Sequence, residues 1–425
     1  MATIAIFPYP WAADLNSSFG LARKLALRGH DVRFVCLPDA ESRIRAQGFA
    51  FAPFLPAVFP AGTLEADVPS WLDRFRATCA ALVEGELERV VTSVGADGLM
   101  ISSWTPWIGV AASRLGVPAL NFSSTFLSVE DPLVPPFGTD IVPGTTPFWE
   151  LRTRLAWRRM FLGRRLLRTA VNVRPEMERL ARAFRFPLDR IDFRVETWPR
   201  LRQRELVLCP REFDFPRGRE PEGACSVEAS IDLHRRDVEF PWERLRDDRP
   251  LVYFSLGSVV TFKFRAKASR LIQIVLDVLA ARPGLQGVVP IGRQLDPAGF
   301  RCPENVAMVA EAPQLRLLER ARLMITHGGL TGVKESIYYG VPMIVVPFFY
   351  DQPGNAARVV FHGLGREARL DRLDAEAFGS LVDAVMRDPS YAAAAGRMSR
   401  VFADYERAAP AVEQVDEALG GVTRR

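Results

Sequence analysis

Residues 325–365 read ITHGGLTGVKESIYYGVPMIVVPFFYDQPGNAARVVFHGLG. An apolar run ends at Thr326-His327-Gly328-Gly329, and helical spacing follows over 332–339. Gly340-Val341-Pro342 then leads into a second apolar run, 343–346, closed by Pro347 and followed by Asp351-Gln352. Strand, glycine turn, helix, strand and polar loop in that order belong to an α/β domain with a parallel sheet. The first amides of the helix have no intrahelical partner, so they point at whatever lies above the turn. A diphosphate fits there, with His327 as an added donor. The Asp351-Gln352 pair falls where a strand must end, and open α/β sheets bind their ligands at that edge.

These residues closely resemble the donor signature of the family 1, UDP-dependent glycosyltransferases, HxGxxSxxExxxxGVPxxxxPxxxDQxxNA. His327, Gly329, Glu335, Gly340, Val341, Pro342, Pro347, Asp351, Gln352, Asn355 and Ala356 fall in register. The resemblance implies that His327 and the neighbouring amides of Gly329, Leu330, Thr331 and Gly332 hold a diphosphate. It implies that Glu335 bonds the ribose hydroxyls, and that Asp351 with Gln352 bonds the transferred sugar. Carboxylate and amide groups suit that last task, because a sugar presents many hydroxyl donors and acceptors and little charge. The family's phosphate-contacting serine is Gly332 here, which keeps the amide and loses the hydroxyl.

Upstream, residues 251–256 form an apolar strand before Gly257-Ser258, resembling the family's other phosphate turn. Arg293 ends the segment 288–293, and Glu311-Ala312-Pro313-Gln314 stands at the family's W-x-P-Q nucleobase segment. Ala312 and Gln314 can keep the backbone and ribose contacts. Glu311 replaces the stacking aromatic, which leaves uridine and thymidine donors open. At the N-terminus, 2–8 reads as a strand, 9–18 as a polar loop, 19–28 as a helix and 32–37 as a strand, a βαβ opening of a Rossmann-like domain. This region also resembles the same enzymes. Asp14 occupies the position of their catalytic histidine, and Ser102 that of the aspartate which orients it. A carboxylate can accept the acceptor hydroxyl's proton as the bond to the anomeric carbon forms, and it needs no second carboxylate to orient it. The competing reading makes Asp14 a helix cap.

The resemblance implies an α/β fold of two Rossmann-like domains facing across a cleft (GT-B). We place the N-terminal acceptor domain at 1–215, with 206–210 as its last strand, and a connector at 216–249. The nucleotide-sugar domain then spans 250–405, and a helix in 406–425 crosses back to the first domain. Residues 52–71 and 122–148 are rich in Phe, Pro and Leu and suggest an apolar acceptor cleft, with Trp104, Trp107, Phe122, Phe126 and Phe137 as candidate walls. Between 149 and 168 apolar residues alternate with arginine. That pattern suits a helix over the acceptor cleft with a solvated face, the alternative being peripheral contact with an anionic membrane.

Lys and Arg number 55 against 50 Asp and Glu, and this formal +5 is too small to argue for nucleic acid. The five cysteines are scattered, as free thiols in a reducing cytosol would be, and no apolar run or leader suggests a span or export. No His or Cys pair has metal-ligand spacing. The expectation is therefore a cytoplasmic, inverting glycosyltransferase without metal or cofactor, monomeric or homodimeric. It would move a glucose-like sugar from a UDP- or dTDP-sugar to a hydroxyl of an apolar natural product. The alternatives are a membrane-associated lipid or carotenoid glycosyltransferase, and a non-catalytic nucleotide-sugar-binding helper.

Overall fold

The computed structural model describes residues 1–63, 71–166 and 173–420. Part of the 52–71 loop, and the end of the arginine-rich run at Arg168, lie outside the described residues.

Five strands alternate with helices in the N-terminal half: β1 (Thr3–Phe7), β2 (Asp31–Cys36), β3 (Ala50–Pro53), β4 (Gly98–Ser102) and β5 (Ala119–Ser123). A two-residue antiparallel pair, β6 (Ile191–Asp192) and β7 (Arg200–Leu201), stands apart from the sheet. β8 (Glu205–Val207) and β9 (Ala224–Ser226) complete a sheet ordered β3-β2-β1-β4-β5-β8-β9, parallel throughout. The strand 206–210 is therefore not the last of this domain, and the sheet extends past 215. The extra strand is three residues long, beginning just after Gly223 at φ +75, and no periodicity can form over so short a run.

The C-terminal sheet contains β10 (Leu251–Ser255), β11 (Gln286–Pro290), β12 (Val306–Val309), β13 (Ala321–Thr326), β14 (Met343–Val345) and β15 (Gly365–Glu367). Its order is β12-β11-β10-β13-β14-β15, again parallel. Helices cover both faces of each sheet, so strands such as β4 and β14 are buried along their whole length, as parallel strands usually are. In each sheet the strand order reverses once, between β1 and β4 and between β10 and β13. Those two switch points are where the carboxyl ends of the strands leave a crevice.

The final helix, Pro410–Gly420, packs on the N-terminal domain. Ala411, Val412 and Val415 enter the core cluster that holds Ile4, Ile6 and Phe34. Asp416 accepts hydrogen bonds from Arg28 and His30 at 3.1 and 2.9 Å, and Glu228 accepts from the Ala411 amide at 2.9 Å. Lys334 adds a second tie between the halves. Its buried ammonium donates to the carbonyls of Leu208 and Ala229, each at 2.8 Å. Among the described residues no helix is long and apolar enough to cross a membrane.

Candidate active site in the interdomain cleft

A cleft of about 630 Å³ opens between the two switch points. On the C-terminal side, β13 ends at Thr326 and the chain turns through Gly328 at φ +87 to Gly329, which caps the helix Leu330–Tyr338. Only glycine takes that turn without strain, and a Cβ on Gly328 would lie 2.6 Å from Val345. His327 fills the space between the two phosphate-type turns, since a Cβ on Gly257 or Gly329 would approach its Nε2 to 2.8 or 2.6 Å. Gly257 donates its amide to His327 Nδ1 at 3.2 Å, shorter than the 3.5 Å approach of that nitrogen to the Ser255 carbonyl. The acceptor role of Nδ1 puts the proton on Nε2, which is then a donor. Loss of water around the ring pushes its pKa down to about 4, so it is a neutral donor in a site otherwise built of amides.

Gly257 caps the short helix Ser258–Lys263, whose Ser258 side chain lies outside what is described. Glu335 is buried and already engaged. Its carboxylate accepts Arg235 at 2.7 Å and the Gln314 amide, while Gln314 Oε1 accepts Ser255 Oγ at 2.9 Å and Tyr253 OH at 3.1 Å. Arg293 and Glu311 form a two-pronged pair at 3.0 and 3.2 Å on the rim, beside Ala312. Beyond β14, Asp351 accepts from Asn355 at 2.9 Å, and Asn355 also donates to the Gly328 carbonyl, joining the two loops. Gln352 Oε1 accepts the amides of Phe348 and Phe349 at 2.8 and 3.2 Å. Burial raises the Asp351 carboxyl to a pKa of about 6.

The N-terminal side begins where β1 ends. The helix there spans Ala12–Leu27, so it starts seven residues before the expected position. Its polar Asn16-Ser17-Ser18 segment looks like a loop because it packs beside the connector instead of showing an apolar stripe. Ser230 Oγ donates to the Ser17 carbonyl, and Gly20 packs against the backbone of Ser230 and Ile231. Asp14 lies in the first turn but does not cap the helix, whose cap is Trp11. The carboxylate reaches outward to three neighbours. Tyr9 N donates to it at 2.7 Å, Ser124 Oγ at 2.6 Å, and the Ser102 hydroxyl also hydrogen-bonds it. Asp14 is 3 % exposed, and burial outweighs those donors and distant Lys334, raising its pKa to about 6.

Of the five expected wall residues, Trp104 lines the cleft and four do not. Trp104 packs on Tyr350 at 5.4 Å across the interdomain gap and on Tyr9 and Trp11 at 6.0 and 6.2 Å. Trp107 turns inward against Phe75 and Trp198, each at 5.1 Å, and Phe122 is fully buried on β5. Phe126 lies under the Arg358 guanidinium at 4.2 Å and lines a small side cavity of about 40 Å³ instead. Phe137 is core too, and it meets the other domain through its ring, 6.5 Å from that of Tyr350, and through its carbonyl, which accepts the Gly354 amide at 2.8 Å. Sequence reasoning missed Tyr9, Trp11, Ser124 and Arg235. Tyr9 and Trp11 flank the β1 end and could have been found by position, but nothing local marks the other two. Among the described residues no group of three His, Cys, Asp or Glu is placed to hold a metal ion.

The geometry sets a diphosphate-type turn, a buried polar ribose-type network and a buried, raised-pKa carboxylate around one crevice. Two parallel-sheet domains facing across such a crevice are the GT-B architecture. The family pattern described as UDP-glucoronosyl and UDP-glucosyl transferase matches residues 235–418. The uncharacterized UDP-glucosyltransferase YdhE of Bacillus subtilis (strain 168) is 29% identical over 215 residues, 50% of this chain and 53% of that protein. Zeaxanthin glucosyltransferase of Pantoea ananas is 24% identical over 383 residues, 87% of this chain and 85% of that protein. The solved structure of the calicheamicin glycosyltransferase CalG4 superposes with a TM-score of 0.71 at 22% identity, covering 99% of this chain and 98% of that one. The matched part of the chain spans only about half the length of YdhE. Residues 235–418 thus resemble that transferase family, and the chain as a whole has the GT-B fold.

Proposed function

We propose that this protein is an inverting glycosyltransferase. It would move a sugar, glucose-like by the Asp351-Gln352 pair, from a UDP- or dTDP-sugar to a hydroxyl of an apolar natural product, without a metal. The observation that carries the reading is contact between the two halves of the site. Thr331 of the donor turn donates to the carbonyl of Ala13, the neighbour of Asp14, at 3.4 Å. A donor sugar held over that turn therefore meets an acceptor beside a buried carboxylate.

The acceptor oxygen attacks the anomeric carbon while its proton passes to Asp14, and the bond from that carbon to the diphosphate oxygen breaks. Attack from the face opposite the leaving group inverts the centre. A base with a pKa near 6 is ionised at neutral pH yet basic enough to take a proton that becomes acidic only in the transition state. Charge developing on the diphosphate is met by turn amides and by His327 Nε2–H, which are in place before reaction. At the ribose and base end the reading is supported by Arg235 on Glu335 and by the Arg293–Glu311 pair on the rim. A lipid-phase acceptor is a second reading, favoured by an arginine-flanked apolar stripe on the helix Trp149–Leu166.

The test is calorimetric titration with UDP, dTDP, GDP and ADP, followed by assay of slow hydrolysis of the matching nucleotide-glucose donors. Tight binding of UDP or dTDP with slow hydrolysis is expected. Failure to bind any of the four would leave the non-catalytic reading without a ligand as well and would refute the donor site.

A further inference from the structure

The helix Trp149–Leu166 carries its apolar residues on two opposite faces. Thr153 and Trp157 are buried, and Trp157 Nε1 donates to the Val134 carbonyl at 2.9 Å. Facing away from them are Leu151, Leu155 and Leu162, which are 53, 51 and 58 % exposed, with Phe148 just before the helix at 78 %. Positions 151, 155 and 162 share one side of a 3.6-residue helix, so these three side chains form a single stripe, with exposed Phe148 just before its start. Arg152 and Arg159 border it on one edge, Arg154 and Arg158 on the other, and all four are exposed. The only acidic residue of the segment, Glu150, is 4.0 Å from Arg154. Exposed leucines in such a row are not the ordinary scatter of surface apolar residues.

We infer that this stripe is a docking surface for an anionic membrane, entered by Phe148, Leu151, Leu155 and Leu162 while the four arginines meet lipid phosphates. The charge pattern selects the occupant. A second copy of the helix would have to bring arginine edges against arginine edges to cover its leucines, whereas an anionic interface supplies both an apolar layer and the opposite charge. A helix with this composition lies in the interface plane and does not cross it.

The buried face shows what docking would achieve. Arg164 donates to the carbonyls of Val195 and Thr197, the latter at 2.9 Å. Val195 and Thr197 line the side cavity that shares Trp104 and Thr125 with the main cleft. The helix thus braces the acceptor wall from behind, and a bound bilayer would hold that wall beside a reservoir of apolar molecules.

The test is flotation of the full chain with vesicles of phosphatidylcholine containing about 30% phosphatidylglycerol, against vesicles of phosphatidylcholine alone. Partition into the anionic vesicles is expected to be about tenfold higher, and to fall when salt rises from about 0.1 to 0.5 M. Joint replacement Leu151→Gln, Leu155→Gln and Leu162→Gln should lower binding about tenfold without unfolding the chain, since all three are exposed. Arg152→Gln with Arg158→Gln and Arg159→Gln should remove only the preference for anionic lipid. Absence of binding, or equal binding by the leucine variant, overturns the proposal. So does a dimer in sedimentation equilibrium that the leucine variant abolishes, because the stripe would then be covered by a second copy. Binding is read without turnover, so this surface and the transferase reading can fail separately.

Discussion

Replacing Asp14 by Asn should make the protein more stable and inactive at once. In the folded chain the carboxyl has a pKa of about 6, against 3.8 for the free side chain. Because the folded value is raised, ionised Asp14 weakens folding. Its contribution is fully favourable only below pH 3.8 and is lost as pH rises through about 6. That rise corresponds to about 3 kcal/mol at neutral pH. Asparagine stands in for the protonated acid: its carbonyl can accept the Tyr9 amide, and its amide can donate to Ser124 Oγ, two of the three groups that hold the carboxylate now. Thermal unfolding at pH 7.5 should therefore shift upward by about 5–10 °C for the N-terminal domain. Repeated at pH 4, the advantage should nearly vanish, because the wild-type carboxyl is then protonated in the native state as well. Turnover should fall by about 10²–10⁴ while nucleotide affinity holds. Equal stability of variant and wild type at pH 7.5, or a gain that does not shrink with acid, would refute the buried-carboxylate argument. A variant with normal turnover would remove Asp14 from the chemistry.

His327→Ala removes the proposed Nε2–H donor and should weaken nucleoside diphosphate binding about tenfold by calorimetry; an unchanged Kd would show that the turn amides suffice. Glu311→Trp should tighten uridine diphosphate by about 1–3 kcal/mol if stacking is what the site lacks. Looser binding would instead mean that the Arg293–Glu311 pair itself touches the base or ribose. Gly20→Ala places a Cβ within 2.9 Å of the Ile231 carbonyl carbon and nearer still to Ser230. The close packing of the first helix on the connector then predicts a loss of about 1–3 kcal/mol in denaturant unfolding, and a neutral substitution would contradict it.

The placement of the signature residues along the cleft was legible because their order is local. A strand end, a glycine turn and the helix that follows are contiguous in sequence, so His327, Gly329 and Glu335 can be read in one frame. The acceptor half was not. Both faces of a parallel sheet are covered, so the apolar run of β5 carries no alternation to say which way Phe122 points, and Phe126 and Phe137 follow on loops without a period at all. The same residue types that suggest a greasy cleft build the core beneath it. The aromatic wall that does line the cleft, Tyr9, Trp11 and Trp104, sits at the ends of β1 and β4, and strand-end position would have been a better guide than aromatic content. The first helix was cut short for a related reason. Asn16, Ser17 and Ser18 are polar, and a helix that packs against the connector through a backbone carbonyl and a glycine does not show an apolar stripe there. Ser124 and Arg235 meet Asp14 and Glu335 only through tertiary folding.

The departures at positions 14 and 102 make one physical unit. A histidine base needs an anionic partner to fix its tautomer and hold its cation, which is the work of the aspartate the family places behind it. An aspartate at 102 beside Asp14 would set two carboxylates together and drive the pKa of the pair higher, leaving one of them protonated at neutral pH. Ser102 avoids that. It lies at the end of β4, beside β1 in the sheet, and Ser124 follows β5 directly, so adjacent strand ends bring two hydroxyls to one carboxylate. Hydroxyls stabilise the anion without adding charge, and burial pushes the other way. The balance leaves Asp14 near 6, high enough to accept a proton and low enough to be empty of one in the resting site. Opposite it, burial likewise holds Asp351 near 6, with Asn355 as its partner. Two buried carboxylates therefore face one crevice from separate domains.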